Sequence, residues 1–191
     1  GGLDGALEEL TAYKPDMPEP LALYLRRRIT LLAGEPDSAV GLLIRAQHLP
    51  DAFDRALAHV LLRGADQADA QIDALLRYHL LREDDGLLRI PPRARAQIAT
   101  LSPLEGAKAD QVDSFIMRYL VQHWAKTPER SLETPLTRAE QAMLNNTRAV
   151  VARQIRAEST LPRAMVARLL VTAAPAYRRA GLADEFWRSA Q

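Results

Sequence analysis

The residues best suited to metal binding or proton transfer are four histidines, His48, His59, His79 and His123, and their spacing favours neither role. No two stand at i, i+4, and no carboxylate stands where a metalloprotease helix places its general base. His79 lies beside an apolar helical face, where a structural side chain is the expectation. The absence of Cys excludes thiolate catalysis, disulfides and cysteine-ligated zinc together. Neither a phosphate-cradling glycine loop nor a G-x-S-x-G nucleophile elbow occurs. The carboxylate pairs Glu8-Glu9, Asp84-Asp85 and Asp184-Glu185 fall at helix starts, at a turn or on polar faces, where capping and solvation account for them. No catalytic, cofactor-binding or metal-ligating residue is expected, and the chain is not expected to be an enzyme by itself.

Composition narrows the class further. The 191 residues suffice for one large or two small domains, with 48% hydrophobic and 26% charged residues, as in ordinary globular chains. Twenty-five basic residues against 24 acidic ones leave a net charge of +1, too small to draw a polyanion from a distance. Any basic patch must be local. No apolar run approaches the roughly 20 residues that span a bilayer, and the first ten residues lack the basic and apolar regions of a secretion signal. A cytoplasmic location is expected, with Gly1-Gly2 read as a tag remnant.

The elements follow from periodicity and punctuation. A polar, Pro-rich lead precedes a helix over 21–32 that contains Arg26-Arg27-Arg28, so residues 1–34 form an N-terminal helical lead. Helices are expected over 38–49, stopped by Pro50, and over 51–63, capped by Gly64. From Asp66 the apolar positions Ile72, Leu75, Leu76 and Leu80 define one face of a third helix. Asp85-Gly86 then separates two apolar-containing runs, a strong hairpin signal because Gly tolerates positive φ. Helix, helix, helix and hairpin, from about residue 35 to 100, is the order of a winged helix.

Beyond residue 100 the pattern is helical throughout. Ser102-Pro103-Leu104-Glu105 and Thr137-Arg138-Ala139-Glu140 both have the form of a capping box that opens a helix. Leu161-Pro162 opens another helix, in which Pro175 removes a backbone donor, and Gly181 ends it. A short helix with Phe186 and Trp187 follows. Residues 101–191 are expected to form a truncated helical array.

Winged helices often read DNA with the first half of their third helix, but here that half carries Asp66, Asp69 and Asp73, with Gln67 and Gln71 as the nearby base-edge readers. Possible nucleic-acid contacts are Arg77, Arg82, Arg89 and Arg93, interspersed with Glu83, Asp84 and Asp85. A mixed-charge docking surface fits this pattern better than a DNA-binding one.

The run LLRYHLLREDDGLLRIPPRARAQIA resembles the end of the winged-helix domain of STAND-type signalling ATPases, especially bacterial transcriptional regulators with tetratricopeptide-like repeats. LTRAEQAMLNNTRAVVARQI is similar to the helix that opens their repeat array, and AYRRAGLADEFWRSAQ to a turn within a repeat. The resemblance implies a mainly α chain, winged helix plus repeat-like bundle, with any ATPase domain upstream in a parent protein. It puts Pro91 where the family carries a phosphate-sensing histidine, so no nucleotide contact is expected from this part. It also implies inter-domain packing roles for Arg95, Asn146 and Arg148, with Thr147 standing where the family usually has Leu. The expected partners are proteins, either other domains of the same chain or a signalling partner met through Tyr177, Phe186 and Trp187. DNA is the lesser alternative, and a membrane is not expected.

Overall fold

The computed structural model describes residues 39–64, 66–156 and 161–190. The expected helical lead over 1–34, with Arg26, Arg27 and Arg28, lies outside them. Among the described residues the chain is mainly helical, with eight helices and a three-stranded antiparallel sheet. None of these helices is long and apolar enough to cross a membrane.

The first helix, α1 (Ala39–Ala46), buries Leu42, Leu43 and Ala46. Where one helix was expected over 51–63, the chain first forms strand β1 (Phe53–Asp54) and only then α2 (Arg55–Leu61). Asp54 makes the break, since its carboxylate accepts the Leu57 amide at 2.8 Å and so caps α2. Beyond α2, Arg63 and Gly64 both adopt left-handed φ, and Gly64 donates its amide back to His59.

Helix α3 (Ala68–Arg77) buries Ile72 and Leu75 and leaves Asp69 and Asp73 exposed. It ends at Arg77, and two residues on His79 is exposed with φ of 56° rather than packed. This left-handed turn sends the Leu80 and Leu81 amides to the Leu75 carbonyl at 3.0 and 3.1 Å and drives both leucines into the core. Strands β2 (Arg82–Asp84) and β3 (Leu87–Arg89) then join through Asp85 and Gly86, whose φ values of 52° and 73° suit a tight two-residue hairpin loop. The sheet order is β1-β3-β2, with Leu88 opposite both Phe53 and Glu83. β2 is an edge strand exposed along its length.

Helix α4 (Pro92–Leu101) buries Ala94 and Ile98. Ser102–Glu105 does not open a helix as its letters propose. Ser102 instead closes α4, its amide donating to Ile98, while its carbonyl accepts the Gln47 side chain at 3.0 Å. Helix α5 (Gly106–Lys126) begins at Gly106. The second box is real: at the head of α6 (Arg138–Arg156), Thr137 N donates to Glu140 at 2.7 Å and Glu140 N to Thr137 Oγ1 at 3.2 Å. On α6, Met143, Leu144 and Val151 face inward, whereas Ile155 is exposed. Helices α7 (Arg163–Arg179) and α8 (Ala183–Ala190) complete the chain, with Gly181 at φ 69° between them.

One apolar core runs from Ala39 on α1 to Tyr177 on α7, crossing the expected boundary at residue 100. α5 packs on α7 and on α2, so it is the beam shared by both parts. The Arg63 guanidinium at the end of α2 sits 5.4 Å from the Phe115 ring centroid on α5, adding a cation–π contact across the same seam.

Candidate functional site

The functional candidates divide between the face of α3 and the hairpin, the seam between the two parts, and the outer helices. On the first, the side chains of Asp69 and Asp73 project from α3 one turn apart, and Arg55 at the head of α2 collects them. It lies 3.6 Å from Asp69, 3.1 Å from Asp73 and 3.0 Å from Glu83 of β2. The Glu83 carboxyl is held below its ordinary range by that guanidinium. His59 adds a 2.9 Å contact to Asp69. This face carries an interlocked lattice of ion pairs in which three carboxylates share one guanidinium.

Of the candidate nucleic-acid contacts, Arg77, Arg82 and Arg93 are exposed on α3, β2 and α4. Arg82 and Arg89 face one another across the hairpin register. Arg89 is committed elsewhere, 2.8 Å from Asp51. The four therefore span four elements, α3, β2, β3 and α4, rather than one helix.

The seam is built from side chains far apart in sequence. Asp51 accepts from Arg89 and from Asn145 Nδ2 at 2.8 Å each. Burial would raise its carboxyl, but Asn145, the Ala52 amide and Arg89 together hold it below the ordinary value. Asn146, fully buried, accepts the Asp51 amide at 3.0 Å and donates to the Ala52 carbonyl at 2.8 Å, pairing with the backbone as another strand would. Thr147, also fully buried, accepts the Trp124 indole N–H at 2.9 Å and donates to the Met143 carbonyl at 2.8 Å. A Leu there would leave that indole without its acceptor. The Tyr119 hydroxyl donates to Asp54 at 2.5 Å, and burial plus that carboxylate raises the phenol well above its ordinary value.

Below these contacts lies Asp113, only 2% exposed on α5. It receives His48 at 2.8 Å, both Arg153 donors at 2.8 and 3.0 Å, and Gln154 at 2.9 Å. Burial alone would raise its carboxyl, and His48 and Arg153 bring it below the ordinary value instead. An aspartate saturated in this way is a structural hub tying the segment after α1 to α5 and α6, not a free base.

The packing residues separate. Asn146 spans the seam. Arg95, half-buried, donates to the Leu49 carbonyl inside the first part, and burial lowers its pKa. Arg148 grips Glu185 through two 2.7 Å bonds inside the second, joining α6 to α8. The aromatic trio also divides. Tyr177 is 1% exposed and belongs to the core, so its ring is not available to a partner, and burial raises its hydroxyl to about 12. Phe186 is half-buried against it, rings 5.6 Å apart, and Trp187 is 65% exposed.

A further cavity of about 250 Å³ lies between the end of α5, the loop that follows and α7, with Trp124, Pro128 and the exposed Val171 on its walls. Among the described residues no cluster of His, Asp and Glu is arranged to hold a metal. Sequence reasoning missed the Asp113 hub, Tyr119–Asp54 and Arg138 on the hairpin tip, because nothing local marks residues that meet across such separations. No protein-family model, curated protein or solved structure matches the chain.

Proposed function

We propose that this chain is a non-catalytic docking module of a multidomain signalling protein, a winged helix joined to the opening helices of a tetratricopeptide-like array. The order α1, β1, α2, α3, hairpin, with β3 central in the sheet, supports the winged-helix reading. The resemblance to STAND-type regulators supplies the signalling context, in which the winged helix serves as hinge or docking block and the array offers a protein-binding surface. Phe186 and Trp187 are the candidate anchors on that surface.

One observation carries the choice of docking over DNA binding: Arg55 gathers Asp69, Asp73 and Glu83 where α3, α2 and the hairpin meet. Three carboxylates around one guanidinium leave that face negative, which opposes a phosphate backbone and suits a protein surface of mixed charge. DNA binding through Arg77, Arg82, Arg89 and Arg93 is the second reading, favoured by the exposure of all four.

Fluorescence anisotropy with a labelled random-sequence duplex, first at low and then at near-physiological salt, separates the two. Absence of binding at low salt is the expected result. Micromolar binding that weakens steeply with salt, and is lost on Arg82→Ala and Arg93→Ala, would transfer the assignment to DNA.

A further inference from the structure

The cavity of about 250 Å³ between the end of α5, the loop after it and α7 combines apolar walls with a basic rim. Trp124, Pro128, Val171 and Pro175 line it, with Val171 71% exposed. Its volume is below that of pockets for drug-sized ligands and suits one or two side chains. Pro175 adds an acceptor to the wall. Lacking an N–H, it leaves the Val171 carbonyl one turn earlier without its helical donor.

On the rim, Arg130 lines the cavity and Lys126 ends α5. Arg168 and Arg178 stand about one turn before Val171 and one turn after Pro175 on the same face of α7, and all four cations are exposed. Among the described residues none of these four side chains has a hydrogen bond or ion pair, whereas Arg55, Arg89, Arg138, Arg148, Arg153 and Arg179 each hold a carboxylate. The acidic side chains of the loop, Glu129 and Glu133, offset only part of this charge.

Walls and rim fit different parts of one ligand. A phosphate backbone would match the cations, but it has no apolar group for Pro128, Val171 and Pro175 and would meet Glu129 on the lining. A flat lipid surface would reach the rim and not the recess. A peptide brings carboxylates, an aliphatic side chain and a backbone N–H together.

We infer that the groove between α5 and α7 docks an extended acidic segment of a partner protein, its aliphatic side chain against Val171 and the two prolines, a backbone N–H on the Val171 carbonyl and its carboxylates on the four cations. The inference rests on the docking reading and gives it a site and a ligand chemistry apart from Phe186 and Trp187.

Fluorescence anisotropy on the full chain provides the test. The probe is a fluorescein-labelled, amidated peptide with one leucine flanked on each side by glutamates. It should bind at low salt, several-fold more weakly with alanine in place of leucine, and not at all with lysines in place of glutamates. Val171→Glu, and Arg130→Glu combined with Arg168→Glu, should each weaken binding several-fold, while Trp187→Ala leaves it unchanged. All these positions are exposed, so an unaltered unfolding midpoint separates lost binding from lost folding. No binding of the acidic peptide would overturn the groove, as would binding indifferent to Val171→Glu or to the arginine pair. Binding lost in Trp187→Ala instead would overturn the groove and leave the docking reading standing, which falls only to duplex binding that depends on Arg82 and Arg93.

Discussion

At the scale of single residues the most consequential charge outside the seam is Glu140. It closes the capping box at the head of α6 and receives Arg179 from the end of α7 at 2.9 and 3.1 Å, with both side chains less than a tenth exposed. Arg179 also donates to the Thr134 and Pro135 carbonyls, so one guanidinium fixes the α5–α6 loop against α7. Arg179, then the Thr137 contacts, outweigh burial and take the Glu140 carboxyl down to about 2 from its ordinary 4.5. A carboxyl depressed by folding contributes stability that is present above its unfolded pKa and is lost as pH falls through its folded one. The stability gap between wild type and Glu140→Gln should therefore be full above about pH 5 and shrink by about 3 kcal/mol toward pH 2. Denaturant unfolding of both proteins across that range measures it, and a gap that stays constant with pH would show that the Arg179 contact is not charge-dependent.

Helices and strands show where local chemistry decides structure and where it does not. Asp85-Gly86 was legible because a tight turn needs positive φ at adjacent positions, a demand met within the two residues themselves. Thr137 and Glu140 were legible for the same reason, since cap and reciprocal acceptor lie within one turn. Ser102 offers the same pattern, but it closes α4 instead, its amide donating to Ile98 and its carbonyl accepting the Gln47 side chain from 55 residues away, a partner no local pattern announces. β1 was hidden because two residues give no alternation to read, and the apolar Phe53 fits a helical stripe equally well. Pro175 was read correctly as a residue inside α7, where it withdraws the N–H that the Val171 carbonyl would otherwise accept. Its ring is exposed while the neighbouring Ala173, Ala176 and Tyr177 are buried, so the proline sits on the outer face of the helix. Pro175→Ala should restore the bond and raise stability by about 1–3 kcal/mol. A lowered unfolding midpoint would mean instead that the packing of α7 on α5 depends on the proline.

For the whole molecule, the question is whether the part before residue 100 can exist apart from the helices that follow it. The expectation of separable units came from composition and punctuation, which register where helices stop but not how their buried faces are shared. The Asp113 hub illustrates the gap: His48 and Arg153 lie 65 and 40 residues from it, and no motif joins them. Asp54 caps α2 within the first part yet takes the Tyr119 hydroxyl from the second, and Asn146 completes the backbone bonding of residues 51 and 52. Cutting between α4 and α5 would strip α2 of α5 and leave Asp54 and the Ala52 carbonyl without those partners. A fragment of about 60 residues buries only about 60% of its unfolded surface even when its core is complete, so it has little margin for such a loss. Residues 39–101 expressed alone should unfold without a sharp transition and bind an apolar dye, whereas residues 39–190 should unfold in one step seen alike by Trp fluorescence and far-UV circular dichroism. A sharp transition and dispersed amide resonances from the 39–101 fragment would show that the first part holds its own core. In that case the buried bonds of Asn146 and Asp113 serve to orient two self-sufficient parts, and the hinge role proposed for the winged helix would lie at this seam rather than upstream of it.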